Sequence, residues 1–403
     1  MIIVALTSSV VMAIVYLNIL NKNREEKTKL EYYSYINQLH DIFLNSDEVK
    51  REYVLDEKIK VKTTVEEEWQ VFLKKMLKRN SNFFTSVAII DNNTGRIIGV
   101  YGNGRNKLQK ANNIIFSPTH PAASLFKIVS SAELLQNQKI SPDTKFSYRG
   151  RGTTLYKYQL KDKITKWSRK INFKKAFAFS NNVIFGKAAI KNSNAVELSE
   201  MAYEFGFNRD ILTNLDLQLS KFRPATDQYN LAEVASGFNK KTLTTPIHAA
   251  FLSYVVASKN PVKTISIIEN ISKNNIIFVN PERKVISHVS ESLREDVYNL
   301  MEFTALSGTA RSLTRRLRYN VKKNYSIGAK TGSITGGLPK GKREWLTFFV
   351  KPNGEDDLGI SVSIMNIYKD KWYQKPTYFG KKVIKHYVKL KSEPKRLTSS
   401  GRN

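Results

Sequence analysis

The chain has 403 residues, and its 41% hydrophobic and 25% charged content is normal for a globular protein, which argues against general disorder. It has no cysteine, which excludes disulfides, thiolate metal sites and cysteine nucleophiles. The 65 Lys and Arg against 35 Asp and Glu give a formal net charge of +30, which favours attraction to polyanions such as nucleic acid, anionic lipid or anionic wall polymers.

The first segment is predicted to be a membrane anchor over residues 1–20. Residues 2–20 carry no charge, and their length suits a single transmembrane helix. Neither the basic start nor the small-residue cleavage site of a cleaved signal peptide is evident, so we expect an uncleaved anchor. Lys22, Arg24 and Lys27 follow the span and, by the positive-inside rule, favour a cytoplasmic body. The function inferred below requires the body of the protein to lie on the opposite, extracytoplasmic side of the membrane.

Residues 21–59 are rich in Lys, Glu, Asn and Tyr without a clear period, and we interpret them as a helical or partly ordered connector. At Thr64 a capping-box match begins, and the apolar residues after it recur at helical spacing, which predicts a helix over about 65–79. Two apolar runs at 87–90 and 97–100 enclose a turn cluster and predict a β-hairpin.

The rest of the chain alternates helical and strand patterns. Residues 140–170 are loop-rich, and the chain ends in a basic tail, 391–403, that we expect to be disordered. Helices are predicted at about 123–136, 173–190, 195–205, 245–257, 291–306 and 376–390, and strands at 345–350 and 360–365. Because strands open and close this order, we expect an α+β domain in which early and late strands share one antiparallel sheet.

Three short motifs carry residue types that acyl transfer needs. Ser124–Lys127 is an S-x-x-K at a helix start, where residues i and i+3 share a face and the amine can activate the hydroxyl. Ser180-Asn181-Asn182 is an S-x-N after a helical run, and Lys330–Ser333 is a K-T-G-S on a predicted strand. Each motif alone has an ordinary explanation, but together and in this order they are the signature of penicillin-binding proteins and class A β-lactamases.

The surrounding sequence resembles the transpeptidase domain of penicillin-binding proteins over roughly residues 60–390. The similar stretches are HPAASLFKIVSSAELL, AFAFSNNVIFGKAA, FGF at 205–207, TTPIHAA at 244–250, SGTA at 307–310 and KTGS followed by REWLTFFV. This resemblance implies an antiparallel sheet flanked by helices, with an all-helical subdomain. Asn181 stands where the family's S-D-N has Asp, and the short connector leaves no room for a glycosyltransferase domain or a large pedestal, which implies a compact, single-module member.

The resemblance also implies roles for the first two motifs. Ser124 Oγ is expected to attack the D-Ala–D-Ala carbonyl of a peptidoglycan stem peptide while Lys127 takes the proton. Ser180 is expected to relay a proton to the leaving amine. Asn182 is expected to hydrogen-bond the backbone amide of the substrate and also to hold Lys127 in place. No metal and no organic cofactor is required.

The third motif is expected to bind the substrate. Lys330, Thr331 and Ser333 would bind the terminal carboxylate, and Gly332 lets that carboxylate approach the backbone closely. The backbone N–H groups of Ser124 and Ser333 would form the oxyanion hole. The charge of Lys330 would also lower the pKa of the neighbouring lysine amine in the first motif by like-charge repulsion.

The favoured function is therefore a serine D,D-transpeptidase on the periplasmic side of the bacterial cytoplasmic membrane. Its expected partners are stem peptides, β-lactam antibiotics, the membrane and other cell-wall synthesis proteins. A D,D-carboxypeptidase, a β-lactamase or a penicillin sensor on the same fold stays open. A β-lactamase needs a base for its deacylating water, and Glu197, Glu200 and Glu204 are interpreted instead as surface carboxylates of a helix.

Two further alternatives rest on other features of the sequence. A non-catalytic, membrane-tethered scaffold that binds anionic wall polymers would explain the charge but not the three intact motifs. Nucleic acid is not an expected partner, because no zinc-finger spacing and no aromatic RNP-like run accompanies the charge. His120, four residues before Ser124, is interpreted as a loop residue and not as the base of a Ser–His pair.

Overall fold

The computed structural model describes residue 18, residues 21–23, 27 and 31, and residues 34–392 except 57, 106–109, 214, 216, 260, 275, 280, 281, 355 and 369–372. The expected anchor at 1–20, apart from residue 18, and the expected tail beyond residue 392 lie outside this description. Among the described residues, no helix combines the length and apolar character needed to cross a membrane.

The helices lie mainly in the middle of the chain. They are α1 (including 34–44), α2 (Glu67–Leu77), α3 (Ala111–Phe116), α4 (Lys127–Leu135), α5 (Lys157–Leu160), α6 (Phe173–Ala178), α7 (Asn182–Asn192), α8 (Ala195–Glu204), α9 (Gln228–Ser236), α10 (Pro246–Ala257), α11 (Glu291–Ser307), α12 (Arg311–Thr314), α13 (Tyr319–Asn324) and α14 (Pro376–Ser392). Short 3₁₀ turns are formed by Ala123–Phe126 and Gln136–Gln138.

The strands lie towards both ends of the chain. They are β1 (Glu52–Asp56), β2 (Ile59–Thr63), β3 (Phe84–Asp91), β4 (Ile97–Asn103), β5 (His120–Pro121), β6 (Lys145–Tyr148), β7 (Arg169–Asn172), β8 (Ser220–Lys221), β9 (Leu243–Thr244), β10 (Val262–Lys263), β11 (Ile268–Lys273), β12 (Ile276–Val279), β13 (Val285–Ser287), β14 (Tyr325–Thr335), β15 (Lys342–Pro352) and β16 (Ile360–Tyr368).

A five-stranded antiparallel sheet in the order β14-β15-β16-β3-β4 forms the centre of the fold. The early strand β3 pairs with the late strand β16, so the expectation of one shared antiparallel sheet is confirmed. The predicted hairpin is β3–β4, and its turn is closed by Asp91, whose Oδ1 accepts a hydrogen bond from the Thr94 backbone N–H at 2.7 Å.

Side chains alternate between the two faces of this sheet, and both faces are buried. On β15, Leu346 and Phe348 belong to the core cluster that α2 and α14 cover. Trp345 and Phe349 point the other way, into the larger cluster that contains α4 and α10. The mixed α/β architecture thus places helices on both sides of the sheet, and β14 forms the edge that faces the helical part of the chain.

Helix α10 has the boundaries that the sequence predicts. The Thr245 side chain accepts a hydrogen bond from the His248 N–H at 3.1 Å, and Pro246 occupies the first helical turn, where a missing N–H costs nothing. The helix is buried along its whole length against β3, β15 and β16. It therefore supports the sheet from the face opposite α14.

The predicted capping box at Thr64 is wrong. Helix α2 begins at Glu67, and its N-cap residue Glu66 makes no side-chain cap hydrogen bond. The buried Thr64 hydroxyl lies instead 2.9 Å from the carbonyl oxygens of both Ile97 and Ser266. These carbonyls come from distant parts of the chain. Because the Thr64 hydroxyl hydrogen-bonds to them, it does not cap the helix.

The expected all-helical subdomain is also corrected. The stretch interpreted as loop-rich forms an antiparallel pair, β6–β7, in which Lys145 faces Asn172 and Tyr148 faces Arg169. Each strand has only four residues, none of them is fully buried, and residues 149–168 separate the two strands. Such short stretches are too brief for periodicity to identify them as paired strands.

The described part of 21–59 is packed against the rest of the protein. Phe43 of α1 is fully buried, and its ring lies 5.2 Å from that of Tyr53 in β1 and 5.9 Å from that of Phe116 in α3. Strand β1 pairs with β2, which in turn pairs with β11. This segment contributes a small sheet and apolar side chains to the main core.

Candidate active site

Ser124 lies in the 3₁₀ turn that leads into α4. The turn contains Ala123 at a φ of 51°, a left-handed conformation that is uncommon for a residue with a side chain and costs free energy. Lys127, the first residue of α4, is fully buried, and its Nζ lies 3.0 Å from Ser124 Oγ. The i, i+3 spacing of the motif thus places amine and hydroxyl in direct contact.

The Lys127 amine is held by two further oxygens and an aromatic ring. It lies 2.7 Å from Asn182 Oδ1, it donates to the carbonyl of Ser236, and it stands 5.3 Å from the centre of the Phe185 ring. Burial, reinforced by the charge of Lys330, lowers the pKa of this amine well below its usual value. The lowered pKa favours the neutral amine, which is the form that can accept a proton.

The second motif lies between α6 and α7. Ser180 adopts a φ of 55°, the second left-handed non-glycine residue of the site. Asn181 caps α7, because its Oδ1 accepts a hydrogen bond from the Ile184 N–H at 3.0 Å. Asn182 begins that helix and donates from Nδ2 to the carbonyl of Thr153 at 2.9 Å, which orients its Oδ1 towards the buried amine of the first motif.

The third motif lies on the edge strand β14. Lys330 is fully buried, and its Nζ donates to Ser180 Oγ at 3.0 Å and to the carbonyl of Thr331 at 2.9 Å. Burial lowers the pKa of the Lys330 amine to about 7. The Thr331 and Thr309 hydroxyls are 2.6 Å apart, and a Cβ on Gly332 would stand 3.4 Å from the Leu125 backbone nitrogen, so this strand runs directly beside the nucleophile turn.

All three motifs line one cleft of about 570 Å³. Phe179, Phe238 and Lys375 also contribute to its walls. The motif residues that line it are Ser124, Ser180, Asn182, Thr331, Gly332 and Ser333, while the two lysine side chains are buried behind them. A larger cavity of about 940 Å³ between α11 and the start of β14 contains none of the motif residues, so the candidate site is the smaller cleft.

Sequence reasoning missed the contribution of α9, whose C-terminal end closes the site from the side. The Ser236 carbonyl accepts a hydrogen bond from Lys127, and Gly237 follows at a φ of 64°. A Cβ at Gly237 would lie only 2.0 Å from the Ala123 carbonyl oxygen. The signal was present, because Asp227 at the N-cap and glycine just past the last turn are typical helix start and stop residues.

Other polar residues considered from the sequence lie apart from the cleft. His120 is buried in β5, and its Nε2 lies 2.8 Å from the Ile114 carbonyl oxygen. Burial and the charge of Arg343 lower the pKa of His120 to about 3. Glu197 on α8 pairs with Lys139 at 3.0 Å and does not line the cleft.

In the part of the chain described here, no three His, Asp or Glu side chains come together as a metal ion would need.

A search of curated proteins finds no match to the chain. Solved structures do match it, at identities that establish the fold.

The D,D-transpeptidase domain of a peptidoglycan glycosyltransferase from Eggerthella lenta matches with a TM-score of 0.64 and 18% identity, covering 82% of this chain and 83% of its own. Penicillin-binding protein 3 from Mycobacterium tuberculosis, complexed with aztreonam, matches with a TM-score of 0.66 and 14% identity, covering 83% and 80%. Penicillin-binding protein A from the same organism, in an imipenem acyl-enzyme complex, matches with a TM-score of 0.61 and 17% identity, covering 81% and 79%.

The sequence itself matches a family model, that of the penicillin binding protein transpeptidase domain, over residues 85–376. This range is more than half of the chain, and it contains the nucleophile turn, the S-x-N turn and the K-T-G strand. The protein therefore belongs to the penicillin-binding protein transpeptidase family.

Proposed function

We propose that this protein is a serine D,D-transpeptidase that cross-links peptidoglycan stem peptides through an acyl-enzyme on Ser124. We propose that β-lactams inhibit it by acylating the same serine. The observation that carries this proposal is the 3.0 Å contact between Ser124 Oγ and the buried Lys127 amine, whose pKa is lowered. A serine hydroxyl is a weak nucleophile until a neighbouring base removes its proton, and this amine is placed to do so.

In the acylation step, Ser124 Oγ attacks the carbonyl carbon of the D-Ala–D-Ala bond while Lys127 takes the hydroxyl proton. The tetrahedral intermediate then collapses, and the leaving amine of the terminal D-Ala receives a proton through Ser180. The hydrogen bond from Lys330 to Ser180 Oγ supports this role, because it fixes that hydroxyl in the cleft that also contains Ser124. Asn182 fixes the base and is available to hold the substrate amide.

Substrate binding is assigned to the cleft wall formed by β14. The hydroxyls of Thr331 and Ser333 and the charge of Lys330 would bind the terminal carboxylate of the substrate. Gly332 lies on this strand beside the 3₁₀ turn that carries Ser124. The backbone N–H groups of Ser124 and Ser333 are the proposed oxyanion hole, which stabilises the negative charge of the intermediate.

The second half-reaction transfers the acyl group from Ser124 to an amine of another stem peptide. We place this chemistry on the extracytoplasmic face of the bacterial cytoplasmic membrane, with residues 1–20 as a single-pass anchor. Protease added to intact spheroplasts should then digest the catalytic domain. A domain that resists protease until the cells are lysed would contradict this location.

The test of the nucleophile uses the purified full-length protein and a fluorescent penicillin, analysed on a denaturing gel. The parent should carry a stable label, and a Ser124→Ala variant that unfolds at the same temperature should carry none. A label that fades within seconds while the drug is consumed would identify a β-lactamase instead. No label on a folded parent would refute the enzymatic assignment.

A product assay separates cross-linking from trimming. Incubation with uncross-linked peptidoglycan should yield dimeric stem peptides as the enzyme releases D-Ala. Release of D-Ala without any dimer would identify a D,D-carboxypeptidase.

A further inference from the structure

The cleft contains a carboxylate that the mechanism above does not use. Glu344 on β15 is the cross-strand partner of Ser333 on β14, and both line the cleft. Residues paired in this way project from the same face of an antiparallel sheet, so the carboxylate lies beside the proposed carboxylate-binding strand. The negative charge of Glu344 repels a substrate carboxylate at this place and attracts a cation.

Glu344 is held by two tyrosine hydroxyls. Tyr368 donates to Glu344 Oε1 at 3.1 Å and Tyr373 donates to the same oxygen at 3.3 Å. Lys342 Nζ lies 3.9 Å from that oxygen, and the Glu344 side chain is 17% exposed. Within the described chain, Oε2 receives no hydrogen bond. The carboxylate is thus fixed in position on the cleft wall.

The electrostatic surroundings of Glu344 are strongly basic. Residues 303–343 contain ten Lys and Arg and no Asp or Glu. Among the described residues that line the cleft, Glu344 is the one carboxylate, and Lys375 is the one basic side chain. An alkyl amine is protonated at neutral pH, so an approaching acyl acceptor meets repulsion from this charge. A fixed carboxylate offsets that repulsion at one defined point.

We propose that Glu344 selects the acyl acceptor by binding its amine as an ammonium group beside Ser333. This inference rests on the proposed transpeptidase function and names a cationic amine as the acceptor class. The ammonium first releases one proton to solvent and becomes nucleophilic. Its nitrogen then forms the amide bond to the acyl carbon, the ester bond to Ser124 Oγ breaks, and the second amine proton passes to that oxygen.

The test compares two acceptors in the full-length protein, with a synthetic thioester of the stem peptide as the acyl donor. One acceptor is a stem peptide with a free side-chain amine, and the other is hydroxylamine, which is uncharged at neutral pH. Glu344→Gln keeps an oxygen for the tyrosine hydroxyls but removes the charge. It should lower kcat/KM for the amine acceptor roughly tenfold, mainly through KM, and leave transfer to hydroxylamine unchanged.

Two controls separate acceptor selection from other roles. Glu200→Gln, which removes a charge from the exposed face of α8, should change neither acceptor, whereas Glu344→Asp should retain part of the amine preference. Equal losses for both acceptors, or no loss with the amine, would overturn the proposal. Penicillin carries a carboxylate, so it should label Glu344→Gln at least as fast as the parent, and a slower variant would also overturn the proposal. An unlabelled parent would instead refute the transpeptidase assignment.

Discussion

At the scale of single residues, the site depends on two buried lysines that stand close together. Lys127 and Lys330 are both fully buried, although lysine is almost never buried without an acidic partner. Their hydrogen-bond partners are neutral: hydroxyls, two backbone carbonyls and an amide. Burial without a carboxylate lowers both pKa values, which weakens folding but favours the neutral amine of Lys127 and brings the pKa of Lys330 to about 7.

The pH dependence of acylation should report these two groups. In the proposed mechanism Lys127 reacts as the neutral amine, so the second-order rate constant for penicillin acylation should rise with pH through its lowered pKa. Lys330 is proposed to bind the carboxylate as a cation, so the rate should fall as pH rises through about 7. The profile should be bell-shaped, and stopped-flow measurement with a fluorescent penicillin gives it directly.

Lys330→Arg assigns the descending limb of this profile. A guanidinium stays charged throughout the range, so the variant should lose the decline near neutral pH even if its rates are lower overall. A decline that persists unchanged in the variant would show that another group titrates there. A parent profile that is flat across neutral pH would contradict the role given to Lys330.

At the scale of elements, the end of α9 contacts both the turn that carries Ser124 and the amine of Lys127. Gly237 terminates this helix at a positive φ, and its Cα faces the carbonyl of Ala123 in the nucleophile turn. Only a residue without Cβ allows this approach. The helix end then presents the Ser236 carbonyl to the lysine base.

Gly237→Ala should therefore cost both stability and acylation. The new Cβ would lie 2.0 Å from the Ala123 carbonyl oxygen, so the nucleophile turn must shift. Together with the left-handed backbone, we expect a loss on the order of 3 kcal/mol in the free energy of unfolding, measured by urea denaturation. Penicillin labelling should fall at least tenfold, because a small displacement of a nucleophile has a large effect on rate.

Gly354→Ala is the matched control for this variant. Gly354 has a φ of 74°, similar to that of Gly237, but a Cβ there would meet nothing within 4 Å. It should cost roughly 1–2 kcal/mol from the backbone alone and leave labelling intact. Equal effects of the two substitutions on labelling would mean that the contact with the nucleophile turn has no catalytic importance.

Most long elements follow from local sequence patterns, and the shorter ones do not. The helices near 67–77, 246–257, 291–307 and 376–392 and the β3–β4 hairpin have clear periodicity, caps or turn residues. Strands β10–β13, by contrast, have only two to six residues, and β11 pairs with the distant strand β2 as well as with its neighbour β12. Their conformation depends on those partners more than on their own residues.

At the scale of the whole molecule, the folded unit includes residues well before the predicted domain start at 60. The apolar side chains of α1 and β1 belong to the same core cluster as α4 and α10. The predicted boundaries at 20, 59 and 390 remain predictions, and stability measurements can test the second of them.

Phe43→Ala provides that test. Phe43 is fully buried between Tyr53 and Phe116, so its truncation should lower the free energy of unfolding by about 3–5 kcal/mol in urea denaturation. Val54→Ala, at a position 61% exposed in β1, should cost less than about 1 kcal/mol. If 21–59 were only a connector, the two variants would be equally stable.

The amino-acid sequence by itself determined the three motifs proposed to be catalytic, their order and the antiparallel α+β class, because these follow from short spacings and local periodicity. Tertiary structure alone decided which groups meet: Lys127 contacts Asn182 across 55 residues, and Lys330 contacts Ser180 across 150. It also brought Gly237 to the nucleophile turn and Glu344 to the cleft wall. Such contacts depend on how distant segments pack, and no local sequence pattern encodes that packing.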